Sequence, residues 1–208
     1  MKVDGKTVTV IGITGTIGAG KSTVGKILTQ LGIPVIDTDK ISHGLLEGDQ
    51  TVKTLIKQHF PSVVKTDGSG VQINRKQLGA IIFNDAKAKK QLESILHPRV
   101  RQICQQQTQE LAEQTNIVAV LIPLLFENRL QSQYDQTWTV TADDNMLRQR
   151  LMQRDGLSVQ EIELRLAGQM SQEQKAEHAD VVLDNSGNEN ELREKVKHLI
   201  ENVCQNSC

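Results

Sequence analysis

The glycine-rich segment at residues 15–22 constrains the fold more than any other part of the chain. Its sequence, GTIGAGKS, fits the pattern G-x-x-x-x-G-K-[ST] of a loop that wraps the phosphates of a nucleotide. A β-branched, apolar run precedes it at residues 8–14, and apolar residues at helical spacing follow at residues 21–31, where Gly32 is a stop signal. This order predicts a buried parallel strand, a phosphate-binding loop and a helix.

Further strand patterns extend this unit into a sheet. They lie at residues 34–39, 117–126, 137–142 and 180–184. Because helical segments separate them, the five strands predict a doubly wound α/β fold. The expected architecture is a P-loop NTPase core, in which helices flank a five-stranded parallel sheet. Ligands of such sheets bind at the carboxyl ends of the strands, which is where the glycine-rich segment falls.

Two long segments between the strands are expected to be helical inserts. The first is too long for a plain crossover between neighbouring strands. A turn cluster at residues 66–70 divides it, and His97-Pro98 is expected to start a long polar helix. A closing amphipathic helix is expected at residues 188–203. The predicted organisation is a core of residues 1–39, 117–142 and 180–208, with a helical insert at 40–116 and a second one at 143–179.

Composition excludes several classes of partner. The formal net charge is −1 and aromatic residues make up only 2% of the chain, so neither a basic surface nor a stacking surface for nucleic acid is expected. No run approaches the roughly 20 apolar residues that cross a bilayer. Three cysteines, an odd number without metal-type spacing, favour a reducing compartment. With no signal-peptide pattern either, we expect a cytoplasmic protein that binds neither membrane nor nucleic acid.

Each fixed residue of the loop has a mechanical reason. The glycines allow a tight turn that points backbone N–H groups inward, and the helix that starts at Lys21 adds the positive end of its dipole. Lys21 is placed to reach the β- and γ-phosphates, and the Ser22 hydroxyl is placed to bind Mg²⁺. The expected nucleotide-binding residues are Gly15, Ile17, Gly18, Ala19, Gly20, Lys21, Ser22 and Thr23.

Other parts of the chain favour a kinase over a switch or a motor. A switch GTPase needs a guanine-specifying Asn-Lys-x-Asp sequence, which is absent. A motor is poorly supported because segment 117–126 has no acidic residue at its apolar end, although Glu127 follows. A small-molecule kinase needs an acceptor domain and a lid, and the two inserts can supply them. The lid candidate carries arginines that either stabilise the transferred phosphoryl group or are simply solvated: Arg148, Arg150, Arg154 and Arg165.

The chain resembles the dephospho-coenzyme A kinase family along nearly its whole length. The glycine loop alone is common to many P-loop kinases, whereas the Asp-x-Asp, Leu-His-Pro and Pro-Leu-Leu-Phe-Glu segments, in this order, are much more specific. The matching stretches are GTIGAGKST (15–23), PVIDTDKISHGLLEGD (34–49), LHPRVR (96–101), PLLFE (123–127), QRDGLS (153–158) and HADVVLDNSG (178–187).

The resemblance implies ATP-dependent phosphorylation of the ribose 3′-hydroxyl of dephospho-CoA, the final step of coenzyme A synthesis. It also implies a nucleotide-binding core, a CoA-binding helical domain at 40–116 and a lid at 143–179. Lys21, Asp39, Arg150 and Arg154 are then the expected catalytic residues, with Asp39 as the general base. Asp37, His43, His97 and Arg101 are expected to bind the acceptor. Asn185 and Gly187 are expected beside the adenine.

Several alternatives stay open at this point. Asp37 could instead satisfy backbone N–H groups in a turn, and His97 could be a feature of a helix start. Glu127 could be a surface residue or the partner of a lid arginine. Asp37 and Asp39 would share a face in an extended strand but diverge if the chain turns into a helix. The rival functions are a P-loop kinase for a nucleoside monophosphate or a sugar acid, and a nucleotide-binding switch without catalysis. The sequence predicts no oligomeric state.

Overall fold

The computed structural model of the chain describes residues 2–3, 6–67 and 70–206. Gly68 and Ser69 of the expected turn cluster and Cys208 lie outside these residues. The strands are β1 (Lys2–Val3), β2 (Lys6–Thr7), β3 (Thr9–Gly15), β4 (Val35–Asp37), β5 (Val64–Asp67), β6 (Gly70–Ile73), β7 (Ile117–Leu121), β8 (Gln136–Thr141) and β9 (Val181–Asp184). The helices are α1 (Lys21–Gln30), α2 (Thr38–Gly48), α3 (Gln50–His59), α4 (Arg75–Asn84), α5 (Ala86–Ala112), α6 (Asp144–Asp155), α7 (Val159–Ala167), α8 (Gln172–His178) and α9 (Glu189–Asn206).

A five-stranded parallel sheet forms the centre of the fold, in the order β4-β7-β3-β8-β9. The predicted α/β class is therefore confirmed. Strand β3 lies in the middle, pairing with β7 on one side and β8 on the other, so the glycine loop leaves the sheet from its central strand. The order reverses around β3, which is where ligands bind in open α/β sheets.

The core of the sheet is aliphatic, as the composition indicated. All five residues of β7 are buried, which explains its continuous apolar sequence. Trp138 is the fully buried aromatic exception, on β8. Helix α9 packs one stripe of side chains against the same core, at helical spacing: Leu192, Val196, Ile200 and Val203.

Two of the expected strands end at least two residues earlier than predicted. Strand β4 ends at Asp37, because helix α2 already begins at Thr38. Strand β7 ends at Leu121, and the chain then turns through Pro123. Proline has no N–H group to donate to a neighbouring strand, so the apolar run that continues to Phe126 cannot extend the ladder. Leu125 and Phe126, which belong to this turn, are nevertheless buried.

The chain forms two compact units, which we call the sheet unit (Met1–Asp37 with Thr108–Cys208) and the helical unit (Thr38–Gln107). The predicted insert at 40–116 differs from the helical unit at both ends. The three helices of the predicted lid, α6 to α8, belong to the sheet unit. The functional assignment of these parts stays a prediction. No helix in the described ranges combines the length and apolarity needed to cross a membrane.

The helical unit contains helices α2 to α4, most of α5, and an antiparallel hairpin, β5–β6, that the sequence did not predict. The prediction that a helix starts at His97 was wrong, because α5 begins at Ala86 and carries Pro98 inside it. Asp85 supports this earlier start, since its carboxylate accepts the N–H of Lys87 at 2.7 Å. Leu92 and Leu96 before the proline and Ile103 after it pack into one apolar cluster, which favours a continuous helix.

Side chains define the starts of helices α6, α7 and α8. Asp143 accepts the N–H groups of Asn145 and Met146, while Ser158 and Ser171 each form a reciprocal capping box. Gly156 ends α6 with a φ of 64°, a conformation that favours glycine. These caps explain how a polar segment forms three separate helices.

Candidate active site

The phosphate loop runs from Gly15 at the end of β3 to the start of α1. Gly18 and Gly20 have φ angles of 84° and 106°, which few other residues tolerate. No side chain caps α1 at Gly20. The positive end of the helix is thus built from backbone alone. Lys21 and Ser22 form its first turn, Lys21 half-buried and Ser22 exposed, as an anion- and metal-binding loop requires.

Asn185 supports this loop from the neighbouring part of the sheet. It directly follows β9 and is buried, and its Nδ2 donates to the carbonyl oxygen of Ala19 at 2.8 Å. A Cβ atom added at Gly20 would collide with the same amide. The residue that the resemblance placed beside the adenine therefore also fixes the backbone of the loop. Gly187 lies two residues further on, in an exposed turn.

The two predicted catalytic arginines differ in their surroundings. Arg150 is half-buried, and its Nη2 donates to the carbonyl oxygen of Asn185 at 3.0 Å. Its Nη1 is buried and has no hydrogen-bond partner among the described residues. Arg154 is exposed and forms two 2.8 Å hydrogen bonds with Asp155, which raise the pKa of its guanidinium. Only Arg150 is thus tied to the nucleotide side of the sheet unit.

A third lid arginine, Arg148, has an acidic partner within the lid. Its Nε donates to Glu163 at 2.8 Å, joining α6 to α7. This hydrogen bond is the main reason why the pKa of Arg148 is raised. The pair explains Arg148 without a role in phosphoryl transfer.

The phosphate loop touches the lid helices at two places. A Cβ atom at Gly18 would lie 3.1 Å from Leu151 and 3.2 Å from Leu147, so α6 packs directly on the loop. Ile17 contacts the same small apolar cluster, and its N–H donates to Gln169 Oε1 at 3.2 Å. Sequence reasoning missed Gln169, because no local pattern marks a contact between residues so far apart in the chain.

Glu127 has a partner that the sequence did not suggest. The partner is Lys175 of α8, not a lid arginine, and its Nζ lies 2.8 Å from Glu127 Oε1. Lys175 is fully buried, and this burial lowers the pKa of its ammonium group, while Glu127 raises it. The carboxylate also accepts the backbone N–H of Met170 at 2.9 Å. Neither Glu127 nor Lys175 is a free surface residue.

The candidate acceptor residues are distributed between the two units. Asp37 is half-buried at the end of β4, in the sheet unit. Asp39 is exposed in the first turn of α2, and His43 follows one helical turn later, also exposed. Since the chain becomes helical at Thr38, the two aspartates do not share the face of an extended strand. His97 and Arg101 lie four residues apart on α5 and so share one helix face.

No group of three or more His, Cys, Asp or Glu residues that could hold a metal ion occurs in the part of the chain that the structure describes. The exposed Ser22 hydroxyl fits a Mg²⁺ ion whose other ligands are phosphate oxygens and water, since Mg²⁺ in kinase sites uses few protein ligands. The donor set therefore suits a metal that arrives with the nucleotide.

Comparisons with known proteins agree with this geometry. The family model described as dephospho-CoA kinase matches residues 9–191. A dephospho-CoA kinase from Symbiobacterium thermophilum is 39% identical over 197 residues, covering 94% of this chain and 81% of the relative. The solved dephospho-CoA kinase from Campylobacter jejuni superposes with a TM-score of 0.69 at 29% identity, covering 96% of this chain and 98% of that one.

A more distant structure shows how far the fold extends. Shikimate kinase from Acinetobacter baumannii, solved in complex with shikimate, has a TM-score of 0.53 at 13% identity, covering 97% of this chain and 96% of that one. That likeness shows the fold alone. Together with the phosphate loop after the central strand, it agrees with a P-loop NTPase core. The family model that matches residues 9–191 describes a more specific group of proteins. The chain belongs to the dephospho-CoA kinase family.

The membership confirms that the chain is an enzyme, a kinase that acts at the final step of coenzyme A synthesis. It does not test the roles of individual residues, the metal or the place of action in the cell. Those assignments stay predictions.

Proposed function

We propose that this chain transfers the γ-phosphoryl group of ATP to the ribose 3′-hydroxyl of dephospho-CoA, with Mg²⁺, in the cytoplasm. The observation that carries the proposal is the phosphate loop, residues 15–22, on the central strand of a chain that matches the family over residues 9–191. The specific acceptor follows from the family, and the phosphate loop supports a nucleoside triphosphate as the phosphoryl donor.

The sheet unit supplies the nucleotide site in this proposal. Backbone N–H groups of the loop and the start of α1 bind the phosphates, and the Lys21 ammonium neutralises charge between the β- and γ-phosphates. The turn from Asn185 to Gly187 lies beside the adenine. The lack of an Asn-Lys-x-Asp sequence favours ATP over GTP.

Mg²⁺ fits beside Ser22, whose hydroxyl is exposed in the first turn of α1. When bound, the ion neutralises negative charge on the phosphate oxygens. The Ser22 hydroxyl would hold the ion, and Lys21, the preceding residue, contributes the fixed positive charge of the protein.

Asp39 is the proposed general base. A ribose hydroxyl is a weak nucleophile, and a carboxylate within hydrogen-bond reach can orient it and accept its proton. Asp39 is exposed in the first turn of α2. Asp37, His43, His97 and Arg101 bind and orient the acceptor.

Arg150 is the better supported of the two catalytic arginines. Its Nη2 already donates to Asn185, but its Nη1 has no hydrogen-bond partner among the described residues, so only the N–H groups of Nη1 remain to stabilise charge that develops on the transferred phosphoryl oxygens. Arg154 would first have to leave Asp155. The proposal therefore gives Arg150 the direct role and expects Arg154 to act only after its ion pair opens.

Product analysis tests the proposed reaction. Incubation with ATP, Mg²⁺ and dephospho-CoA should give ADP and a product that carries one new phosphate, at the ribose 3′ position. A 3′-nucleotidase should remove that phosphate, and phosphorus NMR should report a monoester. ATP hydrolysis to ADP without a phosphorylated acceptor would contradict the proposal, and no turnover of ATP at all would favour the non-catalytic nucleotide-binding switch.

A further inference from the structure

The buried pair of Glu127 and Lys175 lies outside the residues assigned to catalysis. Lys175 is fully buried on α8, and its Nζ donates to Glu127 Oε2 at 3.0 Å and to the carbonyl oxygen of Pro123 at 3.3 Å. Burying a lysine costs free energy unless it is paired and hydrogen-bonded. The segment between strands β7 and β8 therefore provides the acceptor groups that pair with the Lys175 ammonium group of the predicted lid.

The pair connects directly to the phosphate loop through a short stretch of chain. Glu127 accepts the N–H of Met170, and the side chain of the preceding residue, Gln169, accepts the N–H of Ile17. The Gln169 amide is oriented from its other end, because its Nε2 donates to the carbonyl oxygen of Arg165 at 3.1 Å. Its Oε1 is thereby turned toward the loop.

The hydrogen bonds of Lys175 also lead to Thr14, the residue before the phosphate loop. The carbonyl oxygen of Pro123, which accepts from Lys175, also accepts from the Thr14 hydroxyl at 3.1 Å. Thr14 is buried and directly precedes Gly15, while Ile17 lies two residues after Gly15. The contacts thus connect Thr14, directly before Gly15, with Ile17, two residues after it.

We propose that Glu127 and Lys175 are positioning residues for the nucleotide: their ion pair holds the segment 169–175 so that Gln169 fixes the phosphate loop in its ATP-binding conformation. The inference rests on the proposed function only for the identity of the nucleotide. Neither residue touches the reacting atoms in this account. Without the pair, the loop loses an external hydrogen bond and must be ordered by ATP itself, which weakens ATP binding.

ATP affinity separates this role from simple stabilisation. The informative variant replaces both members, Glu127→Ala with Lys175→Met, because removing one alone leaves a buried charge without a partner. The second is Gln169→Ala, and the third combines all three changes. We measure the dissociation constant of ATP by calorimetry without acceptor, the unfolding temperature, and kcat at saturating ATP.

Each of the first two variants should raise the dissociation constant of ATP by about three- to tenfold, the range of one net hydrogen bond. The combined variant should show no larger increase than the stronger of the two, because all changes act through one contact. The kcat at saturating ATP should stay within about twofold of the parent value. Glu177→Gln, an exposed change on the same helix, is the matched control and should leave ATP binding unchanged.

Two results would overturn the proposal. One is a normal ATP dissociation constant for Gln169→Ala. The other is multiplication of the separate effects in the combined variant, which would mean that the pair and Gln169 act independently. If the pair variant does not fold, Glu127→Gln with Lys175→Met, which keeps an acceptor for the Met170 N–H, replaces it in the same comparison. If the variants show the expected increases in the dissociation constant of ATP but the acceptor is not phosphorylated, the proposed function is contradicted and this inference stands.

Discussion

The two units hold their candidate residues in different ways. In the sheet unit, side chains distant in sequence fix the phosphate loop: Asn185 bonds Ala19, and Gln169 bonds Ile17. In the helical unit, Asp39 and His43 lie exposed on a helix surface. The nucleotide side is thus preorganised by hydrogen bonds, whereas the acceptor side is presented on a helical scaffold.

This difference predicts which property a substitution in each unit should change. A change in the sheet unit that breaks one of the long-range hydrogen bonds should alter ATP binding or stability, because the loop conformation depends on it. A change at an exposed acceptor residue should leave the fold intact and act on catalysis or acceptor binding.

Asp39→Asn should lower kcat by about 10²- to 10⁴-fold, the usual contribution of a general base, while ATP binding survives. The exposed position makes a folding defect unexpected. Steady-state kinetics with dephospho-CoA and calorimetry with ATP measure the two effects. Asp37→Asn is the matched comparison. Full activity of Asp39→Asn with loss in Asp37→Asn would reverse the assignment within the pair.

Lys21→Ala should lower turnover by about a hundredfold or more, because a preorganised positive charge at the developing phosphoryl charge is lost. Lys26→Ala is the control, since Lys26 is an exposed lysine on the same helix. Both proteins should show the same unfolding temperature. Near-normal turnover of folded Lys21→Ala would remove this residue from the mechanism.

Gly20→Ala should destabilise the sheet unit by more than Gly32→Ala. Both glycines have positive φ angles, 106° and 81°, so each substitution costs about 1–2 kcal/mol of backbone strain. Only Gly20 has a neighbour in the way, the amide of Asn185, whereas a Cβ at Gly32 meets nothing within 4 Å. Urea unfolding measures both. Equal losses would show that Asn185 does not restrict the loop.

Asp49→Ala should cost the helical unit about 1 kcal/mol, because Asp49 caps α3. Its carboxylate accepts the N–H of Val52 at 3.0 Å and the Nε–H of Arg99 at 3.0 Å. The hydrogen bond from Val52, followed by the bond and charge of Arg99, lowers the pKa of Asp49. This stabilisation is present above the ordinary carboxyl pKa and is lost as pH falls through the lower value in the folded protein.

The pH dependence of unfolding checks the assignment of Asp49. Unfolding measured by urea at neutral pH should show the loss, and the difference between parent and variant should shrink in strong acid. Asp49→Asn keeps an acceptor for the cap and should lose less. A constant difference at every pH would mean that the ionised carboxylate is not responsible.

The parts of the fold predicted from sequence are those set by local pattern. The strand before the glycine loop, the loop and α1 were predicted because an apolar run, glycines and helical spacing all lie within residues 8–32. The parallel sheet followed from buried apolar runs separated by helices. The early start of α5 was missed because Pro98 was given too much weight, while apolar packing on both sides of it decides the outcome.

The missed parts of the site are contacts across long sequence separations. Asn185 and Ala19 are 166 residues apart, and Lys175 and Glu127 are 48 apart. One signal was available for Glu127. An acidic residue directly after a buried apolar run indicates that a cationic partner lies nearby. Lys175 itself lies in a polar, glutamine-rich segment that is typical of a solvated helix. Burial of such a residue depends on tertiary packing that local pattern does not encode.

A comparison of acceptors tests directly whether this chain is a kinase for dephospho-CoA. With ATP and Mg²⁺ fixed, kcat/KM is measured for dephospho-CoA, AMP and gluconate. We expect kcat/KM for dephospho-CoA to exceed that for both other acceptors by at least about a hundredfold, since a site built for its polar groups discriminates strongly against molecules that lack them. A kcat/KM for AMP or gluconate equal to or above that for dephospho-CoA would contradict it.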